Sequence, residues 1–257
     1  MRYSGSKKRF MKDLLPILMK GTKKETLFID AFGGGMNVVS QIPLKNKIAI
    51  EFNSYIVSLW KELQMKSNIN DVIPQELSEE EYYQLKQRYI DNDTKGIESL
   101  IGYVGSACSY GGAWWNGYAK FNPKKNEDHI KEAYNGLKKH IKGFYNFEET
   151  SFINDSYLRI EEIIKERGCE AKDVVIYCDP PYASTKKYES DFNHIEFWEW
   201  CREMSKKGYK VYISEYNAPS DFKCIWKKEK KDGMGTTSQG NKQKTKIEKL
   251  FKYNGKN

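Results

Sequence analysis

Short apolar runs that end at a turn and then give way to helical periodicity recur along this 257-residue chain, and that alternation constrains its fold more than any other feature. In "ETLFIDAFGGGMNVVS", Leu27 to Ile29 form the apolar run and Gly33 to Gly35 the turn, with an amphipathic helix expected from Met36 onwards. "NKIAIEFNSYIVSLWKELQ" repeats the plan: a strand at Ile48 to Ile50, then Ile56, Leu59, Trp60 and Leu63 at helical spacing. Later come a strand in "DVVIYCDPPY", a helix in "HIEFWEWCREMSKKG" and a strand in "YKVYISEYNAP". Strands alternating with helices predict an α/β architecture, a mostly parallel sheet with helices on both faces. The alternation stops between residues 65 and 149. Residues 1–64 and 150–257 are therefore expected to make one core, with 65–149 as a largely helical insertion.

Within the insertion, "LSEEEYYQLKQRYIDND" reads as a polar helix capped by Ser78, with Glu81 three residues on. "EDHIKEAYNGLKKHIKGF" is helical again. Between them, Tyr110, Trp114, Trp115, Tyr118 and Phe121 stand among glycines and asparagines, as the insertion's core or as a loop that meets a ligand. Towards the C-terminus, "FKCIW" and "IEKLFKYN" read as the two strands of a hairpin. Residues 227 to 249 hold eight lysines against Glu229, Asp232 and Glu248, much of the net charge of +8. Such a face suits a polyanion such as nucleic acid, or plain solubility.

An apolar content of 39% excludes a disordered chain. The five cysteines (Cys108, Cys169, Cys178, Cys201, Cys224) form no CxxC pair, and His129, His140 and His194 are dispersed. Neither a disulfide framework nor a metal site of zinc-ligand spacing is expected. The apolar run near the N-terminus is too short and interrupted for a signal peptide. No stretch approaches the roughly 20 apolar residues of a membrane span. These features predict a soluble, cytoplasmic protein.

In an open α/β sheet, ligands bind where strand carboxyl ends meet the following turns. Gly33, Gly34 and Gly35 fall at such a place, where they let the backbone approach a ligand and could open a helix whose N-terminus favours polar groups. The segment is not a P-loop, because GK[ST] is missing, and Val38 stands where GxGxxG needs its last glycine. Glu51 ends the second strand about 20 residues on, where an acid can hold ribose hydroxyls. The two together favour a nucleoside-type ligand, and the lack of further phosphate-binding features favours an adenosyl group. The second constellation is Asp179-Pro180-Pro181-Tyr182, directly after an apolar strand. Proline lacks an N–H and fixes its own φ, so the turn is rigid and presents a carboxylate, bare carbonyls and a ring. That set suits a planar base with an exocyclic amine. Asp179 and the Pro180 carbonyl can each accept one N–H, freeing the nitrogen's lone pair, while Tyr182 stacks on the base.

These motifs, in this order, resemble the N6-adenine DNA methyltransferases of the Dam-like branch, alpha group, found in phages and restriction–modification systems. The resemblance runs through "RYSGSKKRFMKDLLPIL", "FIDAFGGGMNVV", "AIEFNSYIVSLWKEL", "CSYGGAWWNGYAKFNP", "FINDSYLRI", "IYCDPPY" and "VYISEY", nearly the whole chain. It implies a Rossmann-like S-adenosylmethionine-dependent methyltransferase core with 65–149 as the target-recognition region. Tyr3 and Lys7 would contact the cofactor, Asp30, Phe32, Gly33, Gly34 and Gly35 would form its turn, Glu51 would hold its ribose, and Asp155 would lie near its adenine. Asp179 belongs to both the cofactor set and the catalytic set, the latter with Pro180, Pro181 and Tyr182. The family's FxGxG is met by Phe32 and Gly34, with Met36 replacing the last glycine and Gly33 and Gly35 left to supply flexibility. The implied partner is double-stranded DNA, with the target base flipped out. Where the enzyme is restriction-linked rather than of phage or orphan type, a cognate restriction endonuclease would be a functional, not physical, partner, and no membrane is expected. Transfer would run in line from sulfonium to amine, and the absence of a Pro-Cys dipeptide fits chemistry without a cysteine nucleophile. N4-cytosine methylation and a non-catalytic DNA-binding protein remain as alternatives.

Overall fold

The computed structural model describes residues 1–181, 192–230 and 246–255. The chain divides into two units, Met1–Ile160 and Glu161–Asn257.

In the first unit, strands β1 (Leu27–Asp30), β2 (Lys47–Glu51) and β3 (Thr150–Asn154) run parallel in the order β3-β2-β1. Ile29 is level with Ile48, and Ile50 with Ile153. β1 is buried along its length and β2 up to Glu51, which explains their continuous apolar sequences. Helix α1 (Met11–Leu18) precedes β1. Helix α2 (Ser54–Met65) starts at Asn53, whose side chain accepts the N–H groups of Tyr55 and Ile56 at 3.0 and 3.4 Å. Its Ile56, Leu59, Trp60 and Leu63 are all buried, as their spacing predicts.

Helices α3 (Glu79–Ile90), α4 (Glu98–Ser106) and α5 (His129–Lys142) fill the segment between. The expected cap of α3 is present in both directions: Ser78 Oγ accepts from the Glu81 N–H at 3.1 Å, and Glu81 Oε2 from the Ser78 N–H at 2.7 Å. These helices do not carry a core of their own. Met36, Ala49, Trp60, Tyr103, Tyr134 and Phe152 belong to one hydrophobic cluster. Trp60 of α2 stacks on Phe152 of β3 at 5.9 Å and lies 5.4 Å from His140 of α5. The crossing of α2 and α4 is closer still. A Cβ on Gly102 would lie 2.2 Å from the carbonyl oxygen of Tyr55, so backbone touches backbone there.

The helix expected from Met36 is absent. Residues 31–38 pass through turns, and only Val39–Gln41 takes up a single 3-10 turn. Met36 itself has a φ of +55°, which cannot continue a right-handed helix, and Pro43 stops the segment soon after. No helix N-terminus therefore stands at the glycine turn. What fixes the segment instead is Lys47, fully buried at the start of β2. Its ammonium donates to the carbonyls of Val39 at 3.2 Å and Ile42 at 3.1 Å, and to that of Tyr145. Burial pulls its pKa down to about 8.

The second unit holds α6 (Ile160–Glu166, its first residue in the other unit), β4 (Val174–Cys178), α7 (His194–Lys206), β5 (Lys210–Glu215), β6 (Phe222–Lys230) and β7 (Lys246–Tyr253). Its strand order is β4-β5-β7-β6, with β4 and β5 parallel and the C-terminal hairpin antiparallel, as its sequence predicts. Tyr177 and Ser214 join β4 to β5 through their hydroxyls at 2.8 Å, inside the sheet. Arg202 of α7 grips Asp221, just ahead of β6, with Nη2 to Oδ1 at 2.9 Å.

The α2–α4 contact leaves no room for a methyl group. Gly102→Ala should destabilise the protein by about 1–3 kcal/mol, the usual cost of overpacking. A lower denaturant midpoint would show it; an unchanged midpoint would mean that the helices separate without cost.

Candidate active site

The glycine turn is built by exclusion. A Cβ on Gly34 would sit 2.7 Å from Cε1 of Tyr3, and one on Gly35 would sit 2.6 Å from Cβ of Tyr3. A Cβ on Gly33 would meet the Met36 sulfur at 2.9 Å. Of the three, only Gly34 has a positive φ, +47°. Gly33 and Gly35 thus serve close packing rather than conformational freedom, which corrects the expectation that they replace the missing glycine's flexibility. Met36 adopts the left-handed conformation itself. Its fully buried side chain, worth about 1.5–3 kcal/mol of burial, offsets a penalty of about 1–2 kcal/mol.

Tyr3 is held on its other side by the aromatic loop. The Ser4 N–H donates to the Gly112 carbonyl at 2.9 Å, and a Cβ on Gly112 would lie 3.0 Å from the Tyr3 backbone. Three segments far apart in sequence therefore meet at one residue, Tyr3. Lys7, four residues on, is buried and donates to the Gly5 carbonyl at 3.2 Å. Asp30, at the end of β1, is buried and accepts the Val39 N–H at 3.3 Å, bracing the far side of the turn.

Glu51 ends β2 half-buried, with both carboxylate oxygens on backbone donors. Oε2 takes the Gly34 N–H at 2.7 Å and Oε1 the Asn53 N–H at 2.8 Å. The acid predicted to hold a ribose is thereby tied to the glycine turn. Asn154 Nδ2 donates to the carbonyls of Glu51 and Phe52 at 2.9 and 2.8 Å, locking β3 to the end of β2. Asp155 follows, half-buried, with Oδ1 on the Ser156 N–H at 2.8 Å and Oδ2 3.6 Å from Arg159. The Phe32 ring lies 5.5 Å from that of Tyr157. Tyr3, Phe32, Gly33 to Gly35, Glu51 and Asp155 are thus joined through these contacts and the β2–β3 pairing. Sequence reading missed Phe52. Its ring is 83% exposed directly after Glu51, and the available signal was an aromatic residue between the strand-end acid and the Asn53 cap of α2.

In the second unit, β4 is buried at every position and runs into Asp179, half-buried, Pro180, buried, and Pro181, half-buried. Tyr182 lies outside the described residues. The next strand, β5, ends on a buried carboxylate, Glu215, whose Oε2 accepts the N–H of Tyr216.

The aromatic loop divides between the two readings given for it. Trp115 is buried and Trp114 half-buried, stacked on Tyr89 at 5.6 Å and Tyr55 at 6.1 Å respectively. Tyr118 packs at 5.6 Å on Tyr82. Tyr110 and Phe121 remain more than half exposed. Residues 231–245 of the basic segment lie outside the described residues. Among those described, no cluster of three or more His, Cys, Asp or Glu is placed to hold a metal, and no helix is long and apolar enough to cross a membrane.

Burial raises the Glu51 carboxyl above its ordinary value, against the lowering effect of the Asn53 and Gly34 N–H groups. Stability from such a group is fully present below its unfolded pKa and is lost as pH rises through the folded one. The wild type should therefore lose stability as pH climbs above 4.5, and Glu51→Gln should lack that component. Denaturation curves of both proteins across this range read the difference; parallel pH profiles would place the carboxyl in solvent.

The family model for D12 class N6 adenine-specific DNA methyltransferases matches residues 3–236. No curated protein matches the chain.

Proposed function

The chain belongs to the D12 class N6 adenine-specific DNA methyltransferase family, and from that premise we propose how its residues divide the work. The enzyme is an adenine DNA methyltransferase with the α/β fold expected of that family, and its substrate is DNA. Membership favours adenine N6 over cytosine N4 and over a protein without turnover.

S-adenosylmethionine is the proposed methyl donor, and it supplies a methyl group made electrophilic by the sulfonium. The residues around β2 fit its adenosyl part. Glu51 offers carboxylate oxygens for the ribose hydroxyls, held in place by the N–H of Gly34 in the close-packed glycine turn. Phe52 offers an exposed ring on which an adenine can stack, with Asp155 nearby on the neighbouring strand's end. Tyr3 packs on the turn and Asp30 braces it, while Lys7, held at the Gly5 carbonyl, is the proposed cation beside the cofactor.

Asp179 and the Pro180 carbonyl are the proposed acceptors for the two N–H groups of the target amine. The observation that carries this role is a half-buried carboxylate on a Pro-Pro turn at the end of a wholly buried strand. Acceptors fixed in this way need no reorganisation as positive charge develops on the nitrogen. The methylated nitrogen must then shed a proton, and Asp179, already an acceptor there, is the first base in line. Tyr182 stacks on the flipped base. Residues 65–149 form the target-recognition region, with Tyr110 and Phe121 as rings exposed enough to meet DNA. The cytoplasm is the compartment where this DNA is found, and a restriction endonuclease cutting the same sequence is the functional partner.

Asp179→Ala should cut the single-turnover methylation rate by about 100–1000-fold while DNA binding survives. Turnover near the wild-type rate would return the Pro-Pro turn to a structural role. Tyr182→Phe should keep most activity, and Tyr182→Ala should lose base stacking. Calorimetry should show S-adenosylmethionine binding to the free protein. Glu51→Ala should weaken it, and Phe52→Ala should remove about 1–3 kcal/mol of stacking. Equal affinity in either variant would remove that residue from the site.

A further inference from the structure

The hairpin β6–β7 carries lysines in an arrangement that costs stability. Lys227 stands directly opposite Lys249, and Lys223 opposite Lys252. Like charges directly opposite each other across an antiparallel pair are destabilising. One residue from the first pair, Lys228 faces Glu248, so the ribbon uses opposite charges elsewhere. β6 is an edge strand, and lysines on an edge commonly block pairing with other chains. That accounts for Lys227 but not for Lys249, which sits on β7, an inner strand.

The register shows what Lys249 lies between. On one side it is level with Lys227, and on the other with Glu215, the buried acid at the end of β5. Residues level with one another share a face of the sheet, so Glu215, Lys249 and Lys227 form one charged rung. β5 runs parallel to β4, with Ile213 level with Cys178, so the rung begins at the end of the sheet where the Asp179-Pro180-Pro181 turn leaves β4. Lys249 reaches towards that end: its ammonium lies 3.5 Å from Oδ1 of Asn217, in the loop after β5.

We propose that Lys227 and Lys249 together hold one backbone phosphate of the DNA strand that carries the target base, with Glu215 keeping Lys249 in place. The proposal rests on the role given to the Asp179 turn, since the same rung connects that turn to the edge of the sheet. A phosphate between the two ammonium groups relieves their repulsion, so the cost built into the free hairpin is recovered on binding. Neighbouring strands lie about 4.8 Å apart, so two lysines on adjacent strands can reach one phosphate without distortion.

The test uses the full-length protein and a duplex carrying the sequence that it methylates, and it reads binding, not turnover. Lys227→Gln with Lys249→Gln should flatten the log–log salt dependence of affinity by about 0.9, the value for one lost phosphate contact. A single Lys227→Gln should give part of that change. Methylphosphonate placed at each phosphate near the target in turn should weaken wild-type binding at one position where the double variant is insensitive. Lys223→Gln with Lys252→Gln should leave that position-specific penalty intact. The double variant should melt no lower than the wild type at low salt, because the opposed charges are gone. An unchanged salt slope, or the same methylphosphonate profile in wild type and double variant, would overturn the clamp. If Asp179→Ala turned over normally while the clamp persisted, only the catalytic role of the turn would fall.

Discussion

The position of Tyr3 between two glycine turns is the constraint on which the first unit depends. Its side chain leaves no room for a Cβ on Gly34 or Gly35, and its backbone lies tight against Gly112. Close packing of this kind is unforgiving, because protein interiors have few voids to absorb an added methyl. The contact also decides what the glycine turn is for. The backbone of the turn is covered by Tyr3 and Met36, and the Gly34 N–H is committed to Glu51, so the carboxylate beside the turn is what it leaves for a ligand. Segments that a sequence presents separately, at residues 3, 34 and 112, thereby become one surface.

Much of this architecture was legible in the sequence because burial on both faces leaves continuous apolar strands. Val174 to Cys178 could hardly be read as anything else, and α2 and α3 declared themselves through periodicity and the Ser78–Glu81 cap. The segment after the glycines was misread for a definite reason. Met36 looks like a helix former, and nothing local reveals that its φ is positive; the tertiary pocket that buries its side chain decides the matter. Lys47 was passed over because a buried lysine cannot be told from a surface one until the carbonyls of Val39, Ile42 and Tyr145 are known to converge on it. The positions of candidate site residues are legible where they depend on local chain order. Glu51 and Asp179 follow directly from a strand end and a turn. Phe52 needed its exposure to be seen, and the rung of Glu215, Lys249 and Lys227 needed strand register, which no residue pattern in one chain supplies.

The insertion's helices also show why their boundaries in sequence do not mark a separable piece. Tyr103 and Tyr134 lie in the same hydrophobic cluster as Ala49 and Phe152, residues of β2 and β3. A segment with no core of its own cannot be exchanged as a cassette without repacking the strands beneath it.

The bare backbone contact at Gly102 has a mechanical consequence. Helices that meet through side chains can slide by small rotamer changes, but α4 rests on the carbonyl of Tyr55 with nothing compressible between them. The two helices are therefore held at a fixed separation at this crossing. Two residues before Tyr55 is Asn53, whose backbone N–H is held by Glu51 and whose side chain caps α2. A short run of contacts thus joins α4, through Tyr55 and Asn53, to the carboxylate at the end of β2.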